Sequence, residues 1–203
     1  MANLSLKFIE DTPELAGHNQ YWYSEKTINV IVQDQIDQHA IAGSPSGGLV
    51  CVFLSTPSLY YSLPEAIRQN SYLFDFDTGP NEAWVNDRGY VAYDFNFPAV
   101  IPAHLLGKVD MLIIDPPFIV EHVWAKYVET SKLLLKAGSD VHGVPFGKAV
   151  MTTVCENAGF LEESLGGIST AFQPSIPNLV YQYNLFTNYP SAEFEKINPE
   201  IPV

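Results

Sequence analysis

Asp115-Pro116-Pro117-Phe118 is the stretch of this sequence best suited to chemistry. A carboxylate followed by two prolines offers hydrogen-bond acceptors and no donors, because proline lacks an N–H and the carbonyls it frees from a ladder stay open. Such a cluster recognises a group rich in donors, namely a planar or primary amine, and Phe118 adds an apolar wall beside it. The residues just before it, Met111-Leu112-Ile113-Ile114, show no polar alternation. That pattern suits a strand buried on both faces of a parallel sheet. The prolines stop the strand with Asp115 at its carboxyl end, the edge along which open α/β sheets hold ligands. A core strand that merely ends in prolines would carry the same residues, so the motif has to be weighed with its context.

Three other stretches end in groups of complementary chemistry. Leu49 to Leu54 is a continuous apolar strand, and Ser55-Thr56-Pro57-Ser58 after it is a helix start signal leading into a helix over 59–69. Ser55, Thr56 and Ser58, with the N–H groups of that helix start, can receive a carboxylate such as the amino-acid tail of a methyl donor. Simple capping is the rival explanation for each hydroxyl, and no G-x-G-x-x-G accompanies them. The strand from Ser71 to Asp77 ends in Asp75 and Asp77, placed to bind ribose hydroxyls, although aspartate also favours plain turns. A third strand from Tyr90 to Pro98 carries Asp94 and Asn96 for an adenine edge and Phe95 or Phe97 to stack on it; a turn before Pro98 would use the same residues. Tyr21 and Trp22, in the aromatic knot Gln20 to Ser24, can wall a cationic amine or simply fill the core.

The elements that must position these groups follow from periodicity. Ser24 reads as an N-cap for a helix bearing Ile28, Ile31, Val32 and Ile36, closed by the loop Gly43 to Gly48. Beyond Phe118, the residues Val120, Val123, Tyr127 and Leu134 mark an amphipathic helix. Gly147 to Thr153 is a fifth strand, and Val154 to Ala158 a short helix closed by Gly159. Ile168 to Gln173 and Leu179 to Asn188, rich in β formers and divided by Pro174 and Pro177, form an antiparallel pair. The sum is an α/β sheet covered by helices on both faces.

Length and charge bound the rest. A chain of 203 residues fits one domain spanning 1–203, with 1–19 and 190–203 expected as peripheral or partly disordered. There is no apolar run long enough to cross a bilayer and no signal-peptide pattern, and Cys51 and Cys155 form no metal or disulfide framework, so a reducing cytoplasmic setting without a bound metal is expected. Ten Lys and Arg against 23 Asp and Glu leave a net charge of −13, which disfavours nucleic acid and favours a basic protein partner.

Taken in order, Gln20-Tyr21-Trp22-Tyr23-Ser24, Ser55-Thr56-Pro57-Ser58-Leu59-Tyr60, Phe74-Asp75-Phe76-Asp77, Tyr93-Asp94-Phe95-Asn96, Ile114-Asp115-Pro116-Pro117-Phe118 and Asn178-Leu179…Tyr183…Asn188-Tyr189 resemble the elongation factor 1-alpha lysine methyltransferase family, also described as probable N6-adenine methyltransferases. The similarity covers nearly the whole chain and accounts for a serine-proline loop where a glycine-rich one would stand. It implies a Rossmann-like, seven-stranded class I methyltransferase fold, S-adenosylmethionine as donor, and a lysine ε-amine of elongation factor 1-alpha as acceptor. In that setting Asp115 and the Pro116 carbonyl orient the amine, Pro117 and Phe118 complete the motif, and Tyr21 and Trp22 join Phe118 around the substrate. The family's Lys-Arg pair after the acidic strand end is replaced by Thr78-Gly79-Pro80-Asn81-Glu82, and Gly138 to Lys148 is also unlike it. Two rivals remain: an N6-adenine methyltransferase of nucleic acid, which the charge opposes, and a homologue that binds cofactor or partner without turnover.

Overall fold

The computed structural model describes residues 3–43 and 48–202. In chain order they form helices α1 (Leu4–Asp11) and α2 (Glu25–Ala42), strand β1 (Cys51–Leu54), short helices α3 (Pro57–Tyr60) and α4 (Glu65–Arg68), strands β2 (Ser71–Asp75), β3 (Tyr90–Ala92) and β4 (Met111–Ile114), helix α5 (Glu121–Leu134), strand β5 (Lys148–Thr153), helix α6 (Ala158–Leu165), and strands β6 (Ile168–Ser169) and β7 (Asn184–Thr187). The strands make one sheet ordered β3-β2-β1-β4-β5-β7-β6. Only β7 runs against its neighbours β5 and β6. This is the expected Rossmann-like sheet of seven strands with an antiparallel C-terminal pair.

The apolar runs lack alternation because both faces of the sheet are covered. Cys51, Phe53, Met111 and Ile113 point into one core, shared with Ile28 and Ile31 of α2 and with Leu59 and Tyr60 of α3. Val52, Leu54, Leu112 and Ile114 point into the other, against Val123, Trp124, Tyr127 and Leu134 of α5. The Ser24 hydroxyl accepts the Thr27 N–H at the start of α2, and Gly43 closes that helix in the left-handed region at φ 57°. The rest of the loop predicted after it, Ser44 to Gly47, lies outside the described residues.

Several boundaries differ from the sequence reading. The helix expected over 59–69 is split into α3 and α4 by Pro64, which cannot donate in a helix and pushes the residue before it out of helical geometry. The helix after β5 ends not at Gly159 but at Gly166, in the left-handed region at φ 71°. Strand β3 stops at Ala92, and β6 is only two residues long, because the chain between Ser169 and Asn184 folds back toward the carboxyl edge of the sheet.

Both chain ends, expected as peripheral, contribute to the core. Phe8 of α1 is buried edge-on to Trp22, with ring centroids 5.1 Å apart. Phe194 is 1% exposed. Tyr189 and Ser191 donate to the buried carboxylate of Asp34 on α2 at 2.5 and 2.7 Å.

Candidate active site

The register of the sheet lines up the chemistry. Leu54 is level with Phe74 and with Ile114, and Ile114 with Met151. The residues that follow, Ser55, Asp75, Asp115 and Thr152, therefore share one level at the carboxyl ends of β1, β2, β4 and β5. The chain winds outward from β1 to β3 and then returns to place β4 on the other side of β1, so this level crosses the topological switch point where such sheets open a crevice. A cleft of about 340 Å³ lies there.

At its floor, Asp115 is half-buried and its Oδ2 accepts the Tyr23 hydroxyl at 2.5 Å. That hydroxyl is also 2.6 Å from Thr152 Oγ1. Loss of water pushes the Asp115 carboxyl up to about 7, against the lowering effect of hydrogen bonds from Tyr23 and Thr152. Burial and the nearby Asp115 charge push the Tyr23 phenol up as well. Pro116, Pro117 and the half-exposed Phe118 continue the wall, with Phe118 edge-on to Phe95 at 6.3 Å. The Asn19 side-chain amide donates to the Pro117 carbonyl.

Across the cleft stand the acids of the second and third strands. Asp75 Oδ1 accepts the Asp77 N–H at 2.9 Å, and burial raises this carboxyl to about 7. Asp77 Oδ2 accepts the Gln20 side-chain amide at 3.0 Å, and its Oδ1 accepts the Gly79 N–H at 3.2 Å. Asp94 Oδ1 holds both the backbone and the side-chain N–H of Asn96, at 2.8 and 2.9 Å. Phe95 lies over Tyr127 at 6.1 Å. Ser55, at φ 57°, turns the chain sharply out of β1 and meets the Tyr127 hydroxyl at 2.7 Å. A non-glycine residue in that region marks local strain of the kind that collects at ligand sites.

Of the residues singled out in the sequence, Asp115, Pro116, Pro117, Phe118, Ser55, Asp75, Asp77, Asp94, Phe95, Asn96, Tyr21 and Trp22 all line this one cleft. Trp22 does so mostly as core: it is 5% exposed, and its indole N–H donates to the Thr12 carbonyl at 2.8 Å. Thr56 and Ser58 do not line it and are each 2% exposed inside the fold; Thr56 stands at the N-cap position of α3 without a side-chain capping bond, its hydroxyl buried without a hydrogen-bond partner. The atypical loop after Asp77 turns away onto aromatic core. A Cβ on Gly79, at φ 75°, would lie 2.4 Å from the ring of Trp84, which in turn packs against Tyr61 at 5.4 Å. Asp77 itself stays on the cleft.

Tyr23, Thr152, Tyr127, Tyr183, Asn19 and Gln20 are the participants that sequence reasoning did not single out. Thr152 had a signal, since it is the fifth-strand residue level with Asp115. Tyr23 and Tyr183 look like ordinary core aromatics until the fold brings them to a carboxylate. Among the described residues, no group of His, Cys, Asp and Glu is arranged to hold a metal ion, and no helix is long and apolar enough to cross a membrane.

Comparison with known proteins agrees with this geometry. Residues 14–191 match the family model described as "Probable N6-adenine methyltransferase". The chain is 30% identical to EEF1A lysine methyltransferase 1 of Homo sapiens over 93% of this chain and 79% of that protein. It is 30% identical to EEF1A lysine methyltransferase 1 of Danio rerio over 85% of this chain and 97% of that protein. It is also 27% identical to a protein-lysine N-methyltransferase of Caenorhabditis elegans, over 87% and 78% of the two chains. A strand-end Asp-Pro-Pro-Phe motif in a seven-stranded switch-point cleft, together with a family match over residues 14–191, makes this protein a member of the probable N6-adenine methyltransferase family.

Proposed function

We propose that this protein is a protein-lysine N-methyltransferase that takes a methyl group from S-adenosylmethionine and places it on a lysine ε-amine of translation elongation factor 1-alpha in the cytoplasm. The observation that carries the reading is the position of Asp115-Pro116-Pro117-Phe118 opposite Asp75, Asp77 and Asp94 in one cleft. The residues present suit the donor: ribose hydroxyls need acceptors such as Asp75 and Asp77, an adenine needs an aromatic face such as Phe95, and the volume is that of a small-molecule site. When bound, the donor supplies an electrophilic methyl group on a sulfonium.

The chain's own part is to prepare the amine. A lysine side chain, with a reference pKa of about 10.4, arrives protonated and attacks only after losing a proton. Phe118 and Tyr21 wall the amine with aromatic faces that tolerate a cation, and a carboxyl raised to about 7 holds a proton better than an ordinary aspartate. Asp115 and the Pro116 carbonyl then accept from the amine and direct its lone pair, so that the rate gain comes from alignment.

Labelled donor incubated with purified elongation factor 1-alpha, and in parallel with DNA and RNA, tests the proposal. Label is expected on the protein alone, and Asp115→Ala is expected to remove transfer while donor affinity stays within a few-fold. Label on adenine, or near-normal turnover in the variant, would overturn the reading.

A further inference from the structure

The geometry points to Tyr23 as a positioning residue that fixes which oxygen of Asp115 meets the amine, an inference that rests on the proposed lysine chemistry. Tyr23 has one hydroxyl proton, and the 2.5 Å contact to Asp115 Oδ2 is one between a phenol and a carboxylate, so the phenol is the donor. The proton is then spent, so across the 2.6 Å contact Thr152 is the donor to the phenol oxygen, its one proton shared between that contact and the Asp115 carboxylate it also reaches. The chain of hydroxyls therefore has a direction, from Thr152 on β5 through Tyr23 to Asp115 at the end of β4. It occupies Oδ2 and leaves Oδ1 as the carboxylate oxygen not engaged by Tyr23.

The phenol is held rigidly enough for this role. Tyr23 is 3% exposed. On one side of it the Trp22 N–H donates to Glu14 Oε1 at 2.8 Å, and on the other the Ser24 N–H donates to the Ser175 carbonyl at 2.8 Å. The Ser24 side chain also caps α2. A helix start, a strand end and the segment leading to β7 thus meet at one ring. Nothing in a purely apolar packing role requires a short bond to the acid of the motif, and phenylalanine would fill the same volume.

A bond donated to the ionised carboxylate favours its charged form, so removing the phenol oxygen should make Asp115 harder to ionise. The other titratable groups facing this cleft are Tyr183 ahead of β7, Tyr127 on α5, His18 and Tyr21 ahead of α2, and Asp75, Asp77 and Asp94 across from Asp115. None of them is altered by Tyr23→Phe. In donor-free protein, the 13C-carboxyl titration of Asp115, assigned by its absence from Asp115→Asn, is expected to move to higher pH in Tyr23→Phe. In the methylation assay, kcat near neutral pH is expected to fall about 10- to 100-fold with donor affinity unchanged, and the ratio of wild-type to variant rates should shrink as pH rises.

An unmoved Asp115 titration, or a rate ratio that does not depend on pH, would overturn the inference. Should Tyr23→Phe fail to fold, 3-fluorotyrosine placed at position 23 keeps the ring's shape and makes its hydroxyl a stronger donor, so the Asp115 titration is expected to move to lower pH, and no shift would refute the role. The titration needs no substrate. A wild-type protein that methylates nothing would refute the lysine reading, whereas a static titration would refute Tyr23 alone.

Discussion

Asp75 is 7% exposed, and hydrogen bonding from the backbone at Asp77 and Phe76 offsets only part of its burial, so its charge works against the fold. Its carboxyl keeps a proton up to about 7 in the folded protein, against 3.8 in an ordinary setting. Between those values the folded state binds more protons than the unfolded one, and stability is lost as pH rises across the window. Thermal midpoints are accordingly expected to fall from mildly acidic to neutral pH. Asp75→Asn keeps the acceptor for the Asp77 N–H and should flatten that slope, raising the midpoint by several degrees above neutrality; an unchanged slope in differential scanning would refute this. The sequence could point to Asp75 and Asp115 because each ends an apolar run. It could not point to Tyr23, since its role depends on a carboxylate 92 positions further along the chain. Thr56 and Ser58 lie off the cleft for the opposite reason: the helix-start signal is local and says nothing of which face the hydroxyls take.

At the level of elements, α2 is tied to the far end of the chain by a buried polar cluster. Asp34 is 1% exposed and accepts from Tyr189 and Ser191, with Gln38 also donating at 3.4 Å. Lys148 of β5 donates to Gln38 Oε1 at 2.5 Å and sits 5.2 Å from the Tyr189 ring centroid. Removing one donor from a buried carboxylate leaves part of its charge unmet, so Tyr189→Phe should cost about 1.5–3 kcal/mol in urea unfolding. A loss under about 0.5 kcal/mol would mean the cluster is redundant. This tie also holds the C-terminal segment against the core. Its three prolines between Pro190 and Val203 speak for irregular backbone, which says nothing of whether that backbone packs. Strands β1, β2, β4 and β5 were readable because covered parallel strands are apolar throughout, while α3 and α4 were fused because Leu59 to Ile67 keep an apolar spacing across Pro64.

For the molecule as a whole, 23 acids against 10 basic side chains give a field that attracts a basic protein and repels nucleic acid. With an intact elongation factor as substrate, kcat/KM is expected to fall as salt rises, because screening acts over about 8 Å at physiological ionic strength. A short lysine peptide should remain a poor substrate at every salt concentration, since it lacks the remote contacts that hold the amine in line. Salt-independent kinetics with the folded partner would refute the steering argument. The sheet order has a further consequence, for the timing of synthesis. Strand β7 lies between β5 and β6, so β6 has no partner within the sheet until residues 184–187 exist. Phe194 and two of the donors to Asp34, Tyr189 and Ser191, come later still. While the chain is growing, α2 and β5 can pair with their earlier neighbours, but the edge of β5 and the Asp34 carboxylate stay open until the segment through Phe194 has left the ribosome. Folding of this enzyme is therefore completed after translation of its last core residues, and an arrested nascent chain lacking them would be protease-sensitive and open to chaperones along that one edge.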